Sequence, residues 1–328
     1  MPPSDLAQPT AAAGRDRGLF LLARRRPTQG REACARVAQA PRSPYTAEMA
    51  RFPPRLHVLL AREAKLAVVL RRGPSKAVCS LLWDRESDRF RTGQWLKGRI
   101  YERRSDLSPD GRHLIYFAMN GRPSSETGGA WTALSVAPFL EAEVLLGKGD
   151  CWHGGGLFTS NRSYWLNDGY GHKLLRDSSS LTRDLAFGPA RSFGGECQGV
   201  YYPRLLRDGW SLVEESNSLD VFEKPATAGW ILRKFAHAEI GAPEGKGCYW
   251  DEHELVHPGS GKGVLRPGWE WAEVDGRTLL FAEGGCLWRC GLSRAGPTEP
   301  ALIHDFNDMA FEAIPGPRKQ VGGKRRRR

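Results

Sequence analysis

Three short stretches carry residue types at spacings that could do chemistry. His253-Glu254-Leu255-Val256-His257 spells the pattern in which two imidazoles bind one Zn²⁺ and the Glu polarises its water. That chemistry needs a helix, where residues i and i+4 share a face. Pro258-Gly-Ser-Gly-Lys-Gly263 has the composition of a loop that cradles phosphate with backbone N–H groups and a Lys. His153-Gly-Gly-Gly156 has that of a loop presenting N–H donors to the oxyanion of a tetrahedral intermediate.

Each stretch lacks the framework its chemistry demands. Pro258 pushes His257 out of the α region, and glycines at 245, 247, 259, 261 and 263 leave barely one turn of helix to build on. On a strand the two histidines stand about 13 Å apart and cannot share a metal. The segment is therefore expected to be an edge hairpin with solvated charges, with His253 and His257 a decoy pair. The 258–263 stretch resembles part of the phosphate loop of adenylate kinases. Val256, however, stands at the opening-Gly position and Val264 where the adenylate kinase Thr would be, and Arg266-Pro267-Gly268 prevents a long helix. His153–Gly156 resembles the oxyanion loop of lipase-like α/β-hydrolases, yet the chain has no Gly-x-Ser-x-Gly elbow to supply a nucleophile. Cys151 is the one alternative nucleophile, and on a strand it merely shares a face with His153. No catalytic residue, metal or cofactor is expected. The competing expectation is a metal-dependent or acid–base, hydrolase-like enzyme that works in a channel with His153 or with His253, Glu254 and His257.

The elements that must position any site read as short strands. Leu56–Leu60, Leu66–Leu70 and Val78–Trp83 are β-prone runs of five or six residues. Asp110-Gly111, Asp208-Gly209 and Asp275-Gly276 are hairpin-turn dipeptides. With the Gly-rich turns at Asn167–Gly169 and Glu244–Gly247, they recur at intervals averaging near the ~40–45 residues of one four-stranded propeller blade. Gly111–Phe117 and Gly276–Ala282 are close copies: Gly-Arg, one polar residue, then an apolar run suited to a strand buried on both faces. Helical patterns are limited to Ala61–Leu70 and Phe139–Leu146.

Asp106-Leu-Ser-Pro-Asp-Gly-Arg-His-Leu-Ile-Tyr116 sharpens that picture. It resembles the Ser-Pro-Asp-Gly-Arg repeat of the TolB-like, WD-like β-propeller families, and the chain is also similar to uncharacterised bacterial proteins of this type, whose function is unassigned. The resemblance implies an all-β propeller of about five or six four-stranded blades. An α+β fold with a large antiparallel sheet is the alternative. The expected organisation is a disordered extension over 1–48, with translation starting at Met49, a propeller over 49–315 and a disordered basic tail over 316–328. In a propeller, ligands meet the central channel or a rim. The polar and aromatic candidates there are Trp95, Arg99, Tyr101, Trp152, His153, Tyr201 and Tyr202. Arg99, Tyr101 and Arg103 share one face of a strand and are placed to line a channel.

Charge and cysteines bound the remaining classes. The 328 residues carry a formal net charge of +11. Residues 1–48 hold 8 Arg and 4 acids, the tail from Arg318 holds 7 bases, and the stretch between is neutral in sum. Within it, residues 49–104 carry 14 bases and 5 acids, so the first part is basic and the later part acidic. Such segmental charge argues for closure or tail docking within one molecule, or for head-to-tail contact, at least as readily as for a nucleic-acid partner; specific nucleic-acid binding is unexpected, and the tail is left as a non-specific phosphate binder at most. No run approaches the ~18 apolar residues of a membrane span. The Leu19–Ala23 run is too short for a secretory signal, and Asp5, Asp16 and Glu32 argue against a transit peptide. Seven widely spaced cysteines are expected as reduced thiols of a cytoplasmic protein, Cys286 and Cys290 lying too far apart on a strand to pair. The function expected is a monomeric, non-catalytic binding or scaffold propeller with a protein or small-molecule partner.

Overall fold

The computed structural model describes residues 52–73, 76–239, 241, 244 and 246–317. The expected extension over 1–48, the start at Met49 and the tail from 318 onward lie outside the described residues. Strands dominate. The first sheet runs β1 (Arg55–Leu60), β2 (Leu66–Arg72), β3 (Ala77–Asp84) and β4 (Arg89–Lys97). The second runs β5 (Arg99–Leu107), β6 (His113–Met119), β7 (Ala130–Val136) and β8 (Ala142–Gly147). A small third sheet holds β9 (Gly156–Phe158) and β10 (Ser163–Leu166); β11 (Lys173–Arg176) returns to the outer edge of the second sheet, and β12 (Thr182–Arg183) pairs in parallel with β10. Helix α1 (Gln198–Arg207) follows. The fourth sheet is β13 (Ser211–Glu214), β14 (Leu219–Pro225), β15 (Ile231–Ala238), β16 (Tyr249–His257) and β17 (Lys262–Arg266). The fifth is β18 (Trp271–Asp275), β19 (Thr278–Glu283), β20 (Cys286–Ser293), the two-residue β21 (Gly296–Pro297) and β22 (Ala301–Asp305). These sheets, wound from antiparallel strands apart from the parallel β10–β12 pair, give a propeller-like, all-β fold.

Alternation along the second strand of a sheet explains the packing. In β2, Ala67 and Val69 join a cluster with Trp271, Leu280, Ala282 and Leu287 of the fifth sheet. The intervening Val68 and Leu70 join Ile100, Leu114 and Tyr116 of the second sheet. β6 repeats the scheme, with Leu114 and Tyr116 toward the first sheet and Ile115 toward Phe158, Tyr164 and Leu166 of the third. β19 does so as well: Leu279 and Phe281 meet Phe222, Leu232 and Leu255 of the fourth sheet, while Leu280 and Ala282 meet the first. Side chains of successive residues leave opposite faces of a strand, so a strand covered on both faces reads as an unbroken apolar run. The Gly-Arg copies are such strands, and Gly111 (φ 77°) and Gly276 (φ 62°) make the turns before them. Among the described residues no hydrophobic cluster joins the third sheet to the fourth; α1 stands there, against β5, β9 and β13.

Several expectations need correction. The helical patterns over Ala61–Leu70 and Phe139–Leu146 are not helices: Leu66–Leu70 lies in β2, as its β-prone run leads one to expect, and Ala142–Leu146 lies in β8. Asp208-Gly209 follows the C-terminus of α1 and does not form a hairpin turn; the Asp208 N–H donates to the Arg204 carbonyl at 2.9 Å. β16 is an interior strand between β15 and β17, so the His253–His257 segment is no edge hairpin, although it is a strand as expected. The first sheet is finished by residues far along the chain: Arg71 Nε donates to the Phe306 carbonyl at 3.2 Å and Nη2 to that of Asn307 at 3.3 Å, and Phe306 is buried against Phe90. No helix among the described residues is long and apolar enough to cross a membrane.

Candidate functional site

Charged and polar side chains from four places in the chain converge on the middle of the molecule. β15 and β16 pair with Lys234 directly opposite His253, and Asp251, two residues from His253, shares its face of β16. All three are buried. Tyr201, on α1, donates its hydroxyl to Asp251 Oδ2 at 2.6 Å. Arg103 pairs with Asp251 Oδ1 at 2.9 Å and Lys234 lies 3.6 Å from Oδ2, so one carboxylate serves two cations. Arg103 reaches inward because the register of β5 against β6 breaks between Tyr101 and Asp106, which turns the adjacent Arg103 and Arg104 to different partners. His57 of β1 completes the centre, accepting through Nε2 from Arg204 Nη2 at 2.7 Å.

The protonation pattern follows from these contacts. Burial works to raise Asp251, but Arg103 and Lys234 hold its carboxyl well below the usual carboxylate range. Burial lowers Lys234, with Asp251 opposing, and burial with the neighbouring Asp251 pushes the Tyr201 phenol up. His253 is driven down to about 3 by burial and by Lys234. It is thus a neutral ring, with Nδ1–H donating to the Trp269 carbonyl and Nε2 accepting from Lys234, both at 2.8 Å. His57 is likewise depressed, by burial and then by Arg204.

Three members of this cluster, Tyr201, Arg204 and Lys234, form the floor of a cavity of about 590 Å³, walled by β1, the loop after it, the C-terminal half of α1 and β18. The helix places Tyr201, Arg204 and Asp208 at intervals of three and four, so they share one face; Arg207 joins them on the cavity wall. Arg207 lies bidentate on Asp106, at 2.6 and 2.9 Å, and also contacts Asp208 at 2.8 Å. Lys224 pairs with Glu273 at 2.7 Å. A volume of this size lies within the range of small-molecule sites.

The seven sequence candidates do not form one site. Tyr201 belongs to the central cluster, next to Arg103. Tyr202 points elsewhere, donating to Asp220 Oδ2 at 2.7 Å and packing on Phe222, beside a smaller cavity of about 280 Å³. Tyr101 donates to Met119 Sδ and lies between the guanidinium groups of Arg99, which is itself exposed, and Arg104. Arg104 in turn donates to the carbonyl oxygens of Cys151 and His153, so Tyr101 and His153 are connected through it. Trp152 is half exposed in the loop before β9. Trp95 packs against Phe311 with the Arg71 guanidinium over its ring, which makes it a packing residue of the first sheet.

The side chains of the three motifs have the following partners. His253 is engaged at both ring nitrogens, and His257 is held by Ser260 and the Ala228 carbonyl, with Glu254 paired to Arg233 at 2.9 Å. Pro258–Gly261 is the tight turn between β16 and β17. In the His153–Gly156 run, a Cβ at Gly155 would sit 2.0 Å from the Arg104 carbonyl oxygen, and one at Gly156 2.0 Å from that of Trp165. Gly155 lets this run approach β5 closely and Gly156 lets β9 lie close to β10, while the Gly154 and Gly155 N–H groups donate to the Asn167 carbonyl and to Thr132 Oγ1. Cys286 and Cys290 are free thiols on β20, the strand expected of them.

Sequence reasoning missed most of the central cluster. Lys234, Asp251, Arg204 and His57 sit in unremarkable surroundings in the chain, and only fold closure brings them together. The Arg204-Leu-Leu-Arg-Asp208 stretch was the available signal, since its charges fall on one face only if it is helical.

No family model matches the chain, and no curated protein does. Among solved structures it is similar to an uncharacterized protein from Listeria monocytogenes, at 11% identity and a TM-score of 0.20, covering 75% of this chain and 65% of that one. It is similar to prolyl oligopeptidase B from Galerina marginata at 8% identity and a TM-score of 0.19, covering 77% and 34%. It is also similar to a chain of a mitotic checkpoint complex at 12% identity and a TM-score of 0.23, covering 84% and 90%. The chain thus spans less than two thirds of the Listeria protein and about a third of the oligopeptidase. At these scores the likenesses carry no weight for fold or function, and the propeller-like description rests on the sheets themselves.

Proposed function

We propose that the chain is a non-catalytic, five-bladed β-propeller that binds a small molecule in the cavity at one end of its axis. The carrying observation is that cavity: about 590 Å³, open to a buried floor of Tyr201, Arg204 and Lys234. Five sheets, with packed clusters linking the fifth back to the first, support the blade count. The engagement of both His253 ring nitrogens supports a structural role for that histidine over a metal-bound one. An acid–base enzyme in the same cavity is the second reading, favoured by the Lys234–Tyr201–Asp251 contacts at its floor.

Native mass spectrometry of protein isolated from its own cell tests the binding role. A stoichiometric small-molecule adduct is expected, and it should be absent from Ala64→Trp, which puts a bulky side chain on the cavity wall. Protein that carries no adduct, or an adduct equally retained in Ala64→Trp, sinks the proposal. Turnover of a compound that is lost in Tyr201→Phe would favour the enzymatic reading instead.

A further inference from the structure

The charged groups of this cavity are unevenly matched. Arg207 has Asp106 and Asp208, Lys224 has Glu273, and Arg85 has Asp275 at 2.5 Å. Among the described residues Arg204 has no carboxylate in ion-pair contact, and Asp106 and Asp208 act on it only from further off. Its two terminal nitrogens go to the Ser105 carbonyl and to the neutral imidazole of His57. Lys234 has half of one, because Asp251 is shared with Arg103. His253 and His57 add no negative charge. Both Arg204 and Lys234 are buried, at 6% and 1% exposure, where a cation without full compensation is expensive to keep. The floor is therefore cationic and poorly hydrated, a setting in which a charge-assisted hydrogen bond to an incoming anion is strong. Above it, Leu60, Trp271 and Val274 supply apolar wall for the remainder of a ligand.

We propose that the cavity takes a small oxyanion-bearing molecule, its carboxylate or phosphate group seated against Lys234 and Arg204. This rests on the reading of the cavity as the ligand site and names the chemistry of what enters it. The anionic head compensates the surplus positive charge and accepts from the Lys234 ammonium, while Arg204, whose terminal nitrogens already donate to Ser105 and His57, acts on it through its charge.

Isothermal titration of the full chain at low ionic strength, with inorganic phosphate in one arm and succinate in the other, tests this. Saturable one-to-one binding of at least one of them is expected, and the better binder identifies the head group. Lys234→Met should weaken it tenfold or more. Lys65→Glu, at a rim position 66% exposed, should weaken it about two- to fivefold and keeps the test alive if Lys234→Met fails to fold. Trp210, whose ring lies 4.8 Å from Lys234 Nζ, gives a fluorescence readout in the unaltered protein. No saturable binding of either anion overturns the proposal, as does unchanged affinity in both variants. If the anions fail while mass spectrometry still finds a cavity-dependent neutral adduct, the oxyanion inference falls and the binding role stands; if both fail, the binding role falls as well.

Discussion

The seam between the first two sheets and the central charged cluster are both buried, and they are made of opposite materials. The seam is Val68, Leu70, Val78, Ile100 and Leu114 with Tyr116, whose hydroxyl finds the Leu140 carbonyl at 2.6 Å. Each such aliphatic side chain contributes roughly 1.5–3 kcal/mol on leaving water. The cluster is Arg103, Arg204, Lys234, Asp251 and His253, where the Coulombic return on an ion pair is largely offset by desolvation. An apolar cluster of similar volume would serve stability equally well. The seams hold the sheets together, and the cluster keeps charge buried that stability alone does not require.

The sharpest way to break that contrast is Asp251→Ala. It strips Arg103 and Lys234 of their shared carboxylate and Tyr201 of its acceptor, and should cost about 3–5 kcal/mol in urea denaturation. Leu114→Ala opens a cavity in the seam and should cost about 3 kcal/mol. Lys234→Met should fall within about 1 kcal/mol of the parent, since removing a desolvated ammonium offsets the loss of its bond to His253. If Lys234→Met costs as much as Asp251→Ala, the cluster is a structural ion network and the contrast collapses.

A fourth and smaller effect compares two carboxyls. Asp251 faces two cations, whereas Glu270 has none in ion-pair contact, and burial pushes it up to about 8 even though the Leu56 N–H donates to it at 2.9 Å. Its folded form holds a proton that the unfolded chain, with its ordinary value of 4.5, releases. Stability from this group is full below pH 4.5 and declines as pH rises toward 8. Glu270→Gln should flatten that slope and raise the melting temperature at pH 8, modestly, because the residue is only partly shielded from solvent. A steeper slope in Glu270→Gln than in the parent refutes the assignment.

The strands were legible because their causes are local. The Asp110-Gly111 and Asp275-Gly276 turns and the runs after them declare a hairpin whatever surrounds them. The Leu66–Leu70 run is the strand expected of it. The overlapping helical pattern over Ala61–Leu70 misled because a strand covered on both faces loses its alternation and cannot be told from a buried helical segment by periodicity. Helix α1 was invisible for a different reason: Gly199 and Pro203 lie inside it, both disfavoured there, and burial of Val200, Tyr201 and Leu205 overrides that preference. Of the candidate site, Tyr201 was found and Arg103 was placed on a channel-facing strand. Lys234 and Asp251 were not, since their meaning comes from the pairing of β15 with β16 and from a helix arriving from the other side. His253 was seen for its spacing to His257, while its actual partner is the cross-strand Lys234.

The Arg71 contacts with Phe306 and Asn307 carry a consequence in time. The two carbonyls that Arg71 needs lie 235 and 236 residues downstream. At the roughly 5–20 residues per second of synthesis, the first sheet waits on the order of ten to fifty seconds for them. During that interval Leu56, Val58, Ala67 and Val69 face water where the fifth sheet will later lie. Contacts this distant in sequence also make for slow folding. The nascent first sheet is therefore the portion of the chain most in need of a chaperone, and the portion most exposed to joining the wrong neighbour on a crowded ribosome.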